Sequence, residues 1–95
     1  MIQILTNALK NTSSAIITMD TDNAILYIEG TFSAETVTIN RLSPDDVVTP
    51  LTGGVITVAG EKLVQLFRGA RIQLSISNGA GTPSINAFYA SRVDR

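Results

Sequence analysis

The sequence contains no cysteine, no histidine and no tryptophan. Without cysteine there is no disulfide and no thiolate nucleophile, and nothing indicates a disulfide-stapled secreted module. Without histidine the chain also lacks the commonest general base and the usual side-chain ligand of transition metals. We therefore predict that the protein is not an enzyme and that it holds no metal ion and no other cofactor.

Charge is scarce. Charged residues make up 16% of the chain, against roughly 25% in an average soluble domain. The net charge is −1, and the basic residues are scattered, with only Arg92 and Arg95 close together. Binding to nucleic acid, which needs clustered Lys and Arg, is therefore not expected. With so few charges, either Ser, Thr and Asn make up much of the surface, or part of the surface is buried against other subunits, or both. We expect a homo-oligomer, such as a trimer.

Long apolar runs are missing as well. No stretch approaches the roughly 18 apolar residues of a membrane-spanning helix, so no membrane contact is predicted. The first residues, MIQILTNALKNTSS, lack the basic start and long apolar stretch of a signal peptide. We expect one domain over residues 1–95, made in a cytoplasm.

The clearest pattern in the chain runs from Ala70 to Ala90. Ile72, Leu74 and Ile76 alternate with polar residues, which is typical of a strand with one buried face. A second alternating run covers 84–90, and a glycine-containing loop, Asn78–Pro83, separates the two. The sequence predicts a β-hairpin here.

Other short strands are predicted along the chain. They are Ala15–Met19, Ala24–Phe32, Thr36–Leu42, Val47–Leu51 as an edge strand interrupted by Pro50, Val55–Ala59, and Leu63–Phe67, which also suits one helical turn. Turn signals separate them about every 8–12 residues, as in sandwiches and small barrels. Gly30, inside its strand, indicates a bulge or a close backbone approach. The predicted fold class is all-β: an antiparallel β-sandwich or jelly-roll-like small barrel of about seven or eight short strands.

The two ends of the chain are expected to behave differently. Residues 1–9 form either an extended arm, which could dock onto the sheet edge of a neighbour, or the first strand of the chain's own sheet. Residues 91–95 are polar and are expected to fray.

Three short segments superficially suggest chemistry. Asp45 and Asp46 are adjacent acids, but beside Pro44 they are better explained as turn formers. Asp20–Asn23 resembles the start of a calcium loop, yet Ile25 and Thr31 occupy the positions of its glycine and its closing glutamate. Gly79–Gly81 is followed by Pro83 and a strand, whereas a phosphate loop leads into a helix. A structural turn is the better interpretation of each.

The remaining candidates are partner-binding residues. They fall into three groups: one in the N-terminal segment, one at the start of the predicted edge strand, and one in the last strand. The last strand is predicted to be apolar on both faces. These residues are Ile2, Ile4, Leu5, Leu9, Val47, Val48, Phe88 and Tyr89. As an alternative function, Tyr89 with Asn86 and Asn78 could form a carbohydrate- or receptor-binding cluster.

Three segments, LYIEGTFSAETVTINRL, FRGARIQLSIS and SINAFYASR, resemble those of small all-β accessory proteins of tailed-phage virions. The resemblance covers Ala24 to Arg92 and is one of pattern and composition. It implies a capsid decoration (cement) or head-fibre role, in which a β-sandwich oligomer binds the major capsid protein or another virion protein. Under the alternative, the chain would be the sugar- or receptor-binding module of a phage fibre or tail. Either role implies a location in the virion after synthesis in the bacterial host cytoplasm.

Overall fold

The computed structural model describes residues 2–91, which form eight strands and no helix. The strands are β1 (Ile2–Ala8), β2 (Ile17–Thr18), β3 (Ala24–Thr31), β4 (Val37–Leu42), β5 (Val48–Ile56), β6 (Gly60–Val64), β7 (Arg71–Ile76) and β8 (Ser84–Ser91). They form two antiparallel four-stranded sheets, with orders β1-β8-β3-β6 and β2-β7-β4-β5. The predicted all-β sandwich is confirmed, and it is not a closed barrel.

The pairings follow a simple rule of connectivity. The first strand pairs with the last, β2 with β7, β3 with β6, and β4 with β5. The chain is therefore one long antiparallel ribbon, folded over so that β8 also meets β3 and β7 also meets β4. This is the arrangement of a jelly roll, an eight-stranded double sheet.

Alternating side chains from both sheets form the core. In β3 the buried residues are Ala24, Leu26 and Ile28, and in β7 they are Ile72, Leu74 and Ile76. Each set is spaced by two, so it lies on one face of its strand. The two faces belong to one continuous apolar cluster between the sheets.

The predicted hairpin at 70–90 is wrong, although both of its strands are present. The first is β7 and the second is β8, and they belong to different sheets. Each is an inner strand with two neighbours, β2 and β4 for β7 and β1 and β3 for β8. Residues 77–83 therefore cross between the layers. Alternation of apolar and polar residues indicates that a segment is a strand, but it does not indicate which strand it pairs with.

The segment around β5 also departs from expectation. One nine-residue strand replaces the two predicted at Val47–Leu51 and Val55–Ala59. It continues through Gly53 and Gly54 because a register shift against β4 absorbs the extra residues. The predicted segment Leu63–Phe67 is a strand, not a helical turn, but it begins earlier, at Gly60, and ends at Val64 as β6. Charged residues are compatible with a strand there because β6 is an outermost strand.

Two local predictions are confirmed. Gly30 has φ +107°, and a Cβ there would overlap the Ser84 carbonyl oxygen on β8. This is the predicted close backbone approach. The turn at Ser43–Asp46 is present too, with Asp46 N donating to Ser43 O at 2.9 Å. Asp46 there has φ +62°.

Candidate functional site

The N-terminal segment forms a strand of the chain's own sheet. β1 pairs with β8, which is the second of the two alternatives for residues 1–9. Leu5 is buried and Ile4 is partly buried against the core. Ile2 and Leu9, at either end of the segment, are 57% and 62% exposed. Of the four partner-binding residues predicted in this segment, these two are the exposed ones.

The candidates in β8 divide between its two faces. Tyr89 is buried, and its hydroxyl donates to Asp20 Oδ1 at 2.9 Å. Phe88 is half-buried on the outer face, opposite Tyr27 of β3. The strand thus carries an aromatic residue on each face, but its outer face also holds Ser84 and Asn86. Tyr89 is a core residue and not a surface contact. Ser91, where the fraying tail was expected to begin, is the last residue of β8; residues 92–95 lie outside the described part.

The proposed sugar-binding cluster is not assembled. Asn78 lies in the crossover after β7, whereas the Asn86 side chain accepts hydrogen bonds from Asn7 N and Gln3 Nε2 on the outer face of the sheet. Tyr89 is in the core. The three residues therefore do not share a surface.

The predicted edge strand is the most exposed apolar feature of the fold. β5 is an outermost strand, and Val47 and Val48 at its start are 58% and 50% exposed. Val55 and Val58, which were not among the predicted partner residues, are 59% and 70% exposed. We call the segment Val47–Val58 the β5 edge. A signal for its far end existed in the sequence, because no charged residue occurs between Asp46 and Glu61.

A second exposed feature lies at the end of the sandwich where β4 ends and β7 begins. Phe67, in the β6–β7 loop, is 65% exposed. It lines a groove of about 520 Å³ together with Leu42, Pro44, Asp46, Gly69, Ala70 and Arg71. Sequence reasoning placed Phe67 only at the end of the predicted segment Leu63–Phe67 and gave it no binding role, so it missed this groove.

The calcium-like segment is a structural turn that ties three parts of the chain together. Asp20 Oδ1 accepts hydrogen bonds from the hydroxyls of Tyr89 and Ser91, and Asp22 Oδ1 accepts one from Arg68 N. These hydroxyls, Ser91 first, hold the pKa of Asp20 below its ordinary value. Burial raises the pKa of Tyr89. Over residues 2–91, no three His, Cys, Asp or Glu side chains converge as metal ligands would.

One buried carboxylate was overlooked. Glu35 follows β3 and is 2% exposed, and its Oε2 accepts a hydrogen bond from Gly81 N at 2.8 Å. Its Oε1 has no hydrogen-bond partner within the described residues. A Cβ on Gly79 or Gly81 would collide with this side chain. These glycines, which superficially resemble a phosphate loop, therefore make room for a carboxylate of the chain itself.

The fold places this protein in the class of two-sheet β-sandwiches with the strand order of a jelly roll. Its β5 edge and the groove beside Phe67 are surfaces suited to binding. Comparison of the chain with protein-family models, with curated proteins and with solved structures finds no match. Within residues 2–91 no helix of membrane-spanning length and hydropathy occurs. Fold alone does not determine function, so the function must be inferred from the surface.

Proposed function

We propose that the chain is a non-enzymatic structural protein that assembles into a homo-oligomer through the β5 edge. The main support is the combination of exposure and missing charge along this strand. The four valines of the β5 edge are each at least 50% exposed, and this segment carries no Asp, Glu, Lys or Arg. Proteins that stay monomeric usually protect such an edge with charged residues.

The other outermost strands differ from β5. On the same side of the sandwich, β6 carries Glu61 and Lys62, while β2 is only two residues long. β1 is uncharged, but it carries one exposed large hydrophobic residue, Ile2, whereas β5 carries two. β5 thus combines the greatest length with exposed valines at both ends.

Two features limit the contact that β5 can make. Pro50 has no N–H to donate, and the register shift against β4 makes residues 51–54 irregular. We expect a neighbour to contact the two flanks, at Val47–Val48 and at Val55–Val58. Side-chain burial there, with main-chain pairing on the straight segments, supplies the affinity.

The more specific form of the proposal is a phage virion protein. The resemblance to small all-β virion proteins supports it, and so does a surface with few charges, suited to burial against neighbours. The oligomer would then bind the assembled capsid as a decoration or cement protein. Binding only the assembled shell would stabilise that shell by mass action, and this role needs no active site.

The test is a charge placed on the β5 edge. Val55→Lys keeps an exposed position exposed, so the domain should fold, but a lysine must lose hydration if the edge pairs. Sedimentation equilibrium should give an oligomer for the unmodified chain and a monomer for Val55→Lys. Circular dichroism would verify that the variant keeps its strands.

The matched control is Ile16→Lys, since Ile16 is also an exposed aliphatic residue, at 47%, but lies before β2. This variant should remain an oligomer. A monomeric unmodified chain, or an oligomer equally insensitive to both lysines, would contradict assembly through β5. The capsid role has its own test: saturable co-sedimentation with assembled shells of the encoding phage and none with its free coat protein.

A further inference from the structure

The groove beside Phe67 is built from two loops that meet at one end of the sandwich. One is the β4–β5 turn, which supplies Pro44 and Asp46, and the other is the β6–β7 loop, which supplies Phe67 and Gly69. We call it the Phe67 groove. Its volume of about 520 Å³ falls within the roughly 300–1,000 Å³ of small-ligand pockets.

The Phe67 ring is exposed, but its backbone is firmly held. Ala70 N donates to Phe67 O at 3.1 Å, and the neighbouring Gly69 N donates to Met19 O at 2.8 Å. On the other side, Arg68 N donates to the Asp22 carboxylate at 2.8 Å. Because the backbone of this turn is already fixed, binding at Phe67 does not have to order it.

The polar wall of the groove is also fixed in advance. The Arg71 guanidinium contacts Asp46 Oδ1 at 2.6 Å and donates a second hydrogen bond to Ser43 O. Ser43 Oγ accepts from Asp45 N and Val47 N, which stiffens the turn that carries Asp46. The Asp46 side chain is 69% exposed and the Arg71 side chain 30%, so a ligand can reach both.

These groups select a ligand by its chemistry. An aromatic face attracts polarised C–H groups, and a carboxylate beside a guanidinium offers charge-assisted acceptors and donors to neighbouring hydroxyls. The paired charges cancel, so a phosphate would meet Asp46 as well as Arg71. A purely apolar peptide segment would bury the ion pair at a desolvation cost. We propose that the Phe67 groove binds a neutral saccharide, with one sugar face on Phe67 and adjacent hydroxyls on Asp46 and Arg71.

The inference goes beyond assembly through β5 and is tested separately. Glucose, galactose, mannose, N-acetylglucosamine and their common disaccharides would be titrated into the purified chain at millimolar concentration. NMR would follow saturation transfer to the sugar and the ring resonances of Phe67. The chain has three phenylalanines, so the spectrum of Phe67→Leu assigns that ring.

At least one sugar of the panel should shift the Phe67 ring. Phe67→Ala should weaken its binding roughly tenfold or more, as loss of a central aromatic contact commonly does. Asp46→Asn should weaken sugar binding as well, because it removes the carboxylate. The variant should keep its fold, since asparagine tolerates the positive φ of this position. Ile16→Ala, an exposed apolar change before β2 and away from the groove, should leave the affinity unchanged.

Three results would overturn the proposal. They are no shift of the Phe67 ring with any sugar of the panel, unchanged affinity in both groove variants, or a Phe67 shift that follows protein concentration without sugar. The last would mean that a second copy occupies the groove. None of them alters the sedimentation result for Val55→Lys, so the assembly proposal and the saccharide proposal can fail independently.

Discussion

At the scale of single residues, hydrogen bonds to the carboxylates fix the loops. Asp20 links the β2–β3 turn to β8 through the Tyr89 and Ser91 hydroxyls, and these bonds lower its pKa. A carboxylate whose pKa is lowered by folding contributes stability that is fully present above its unfolded pKa of about 3.9. That contribution disappears as the pH falls through the lower folded value.

We therefore expect Asp20→Asn to flatten the acid side of the stability profile. The free energy of unfolding of the unmodified chain should fall between about pH 5 and pH 2, and the fall should be smaller in Asp20→Asn. Urea unfolding at a series of pH values measures this difference. Asp45→Asn, at an exposed turn position whose side chain makes no hydrogen bond in the described residues, is the control. Identical acid profiles for Asp20→Asn and the unmodified chain would contradict the assigned role.

Tyr89 acts at the opposite end of the pH range. Burial raises its pKa above the ordinary value of about 10. Its contribution to stability is therefore complete below that value and is lost as the pH rises through the folded pKa. The core position of Tyr89 and its bond to Asp20 together give this residue a structural role.

At the scale of elements, crossovers between the layers hold the two sheets together. The β7–β8 crossover is anchored by Glu35, whose Oε2 accepts from Gly81 N, and by Ser77 N, which donates to Thr36 O at 3.0 Å. The β3–β4 connection therefore supports the β7–β8 connection beside it. The second oxygen of Glu35 is buried without a partner among the residues described, which is costly for an ionised group.

This asymmetry predicts different outcomes for two substitutions. Glu35→Gln keeps an acceptor for Gly81 N and removes the buried charge, so its free energy of unfolding should equal or exceed that of the unmodified chain. Glu35→Ala leaves the amide of Gly81 unsatisfied and should lose about 1–3 kcal/mol. Chemical denaturation of both variants at neutral pH measures the comparison. A loss in Glu35→Gln as large as in Glu35→Ala would show that the charge itself is needed.

At the scale of the whole molecule, the ribbon connectivity makes most pairings distant in sequence. Among the paired strands of residues 2–91, only β4 and β5 follow each other directly in the chain, whereas β1 and β8 come from its opposite ends. Folds dominated by pairings distant in sequence fold in milliseconds to seconds, because the entropy cost of closing long loops comes before the contacts that offset it. We infer that the β4–β5 hairpin forms early and that the β1–β8 pairing forms late.

The order can be tested with one methyl deletion made at two sites. Ile39 in β4 and Ile85 in β8 are both fully buried, and Ile→Val at each should cost about 0.5–1.5 kcal/mol. In stopped-flow kinetics, Ile39→Val should slow folding, with φ of roughly 0.5–0.8. Ile85→Val should mainly speed unfolding, with φ of roughly 0–0.3. Equal φ values at the two sites would contradict the inferred order.

What the sequence by itself determined is local. Period-2 alternation in segments such as Ile72–Ile76 specifies strands and their buried faces, and Pro44 with its acidic neighbours specifies the β4–β5 turn. Gly30 could be recognised because a glycine inside a strand often marks a bulge or a close approach of two backbones. Pro50, which cannot donate to a strand ladder, likewise marked the strand beginning at Val47 as an edge strand.

Only the tertiary structure decided which strands pair and which side chains meet. The predicted 70–90 hairpin is a crossover, because β7 pairs with β2 and β4 in one sheet and β8 pairs with β1 and β3 in the other. Tyr89, predicted as a partner-binding residue, is part of the core, and Phe67, which was given no binding role, lines an exposed groove. Alternation assigns a side chain to a face of its strand, but the face that is buried depends on the opposing sheet. Strand pairing joins residues too far apart in sequence for any local pattern to specify.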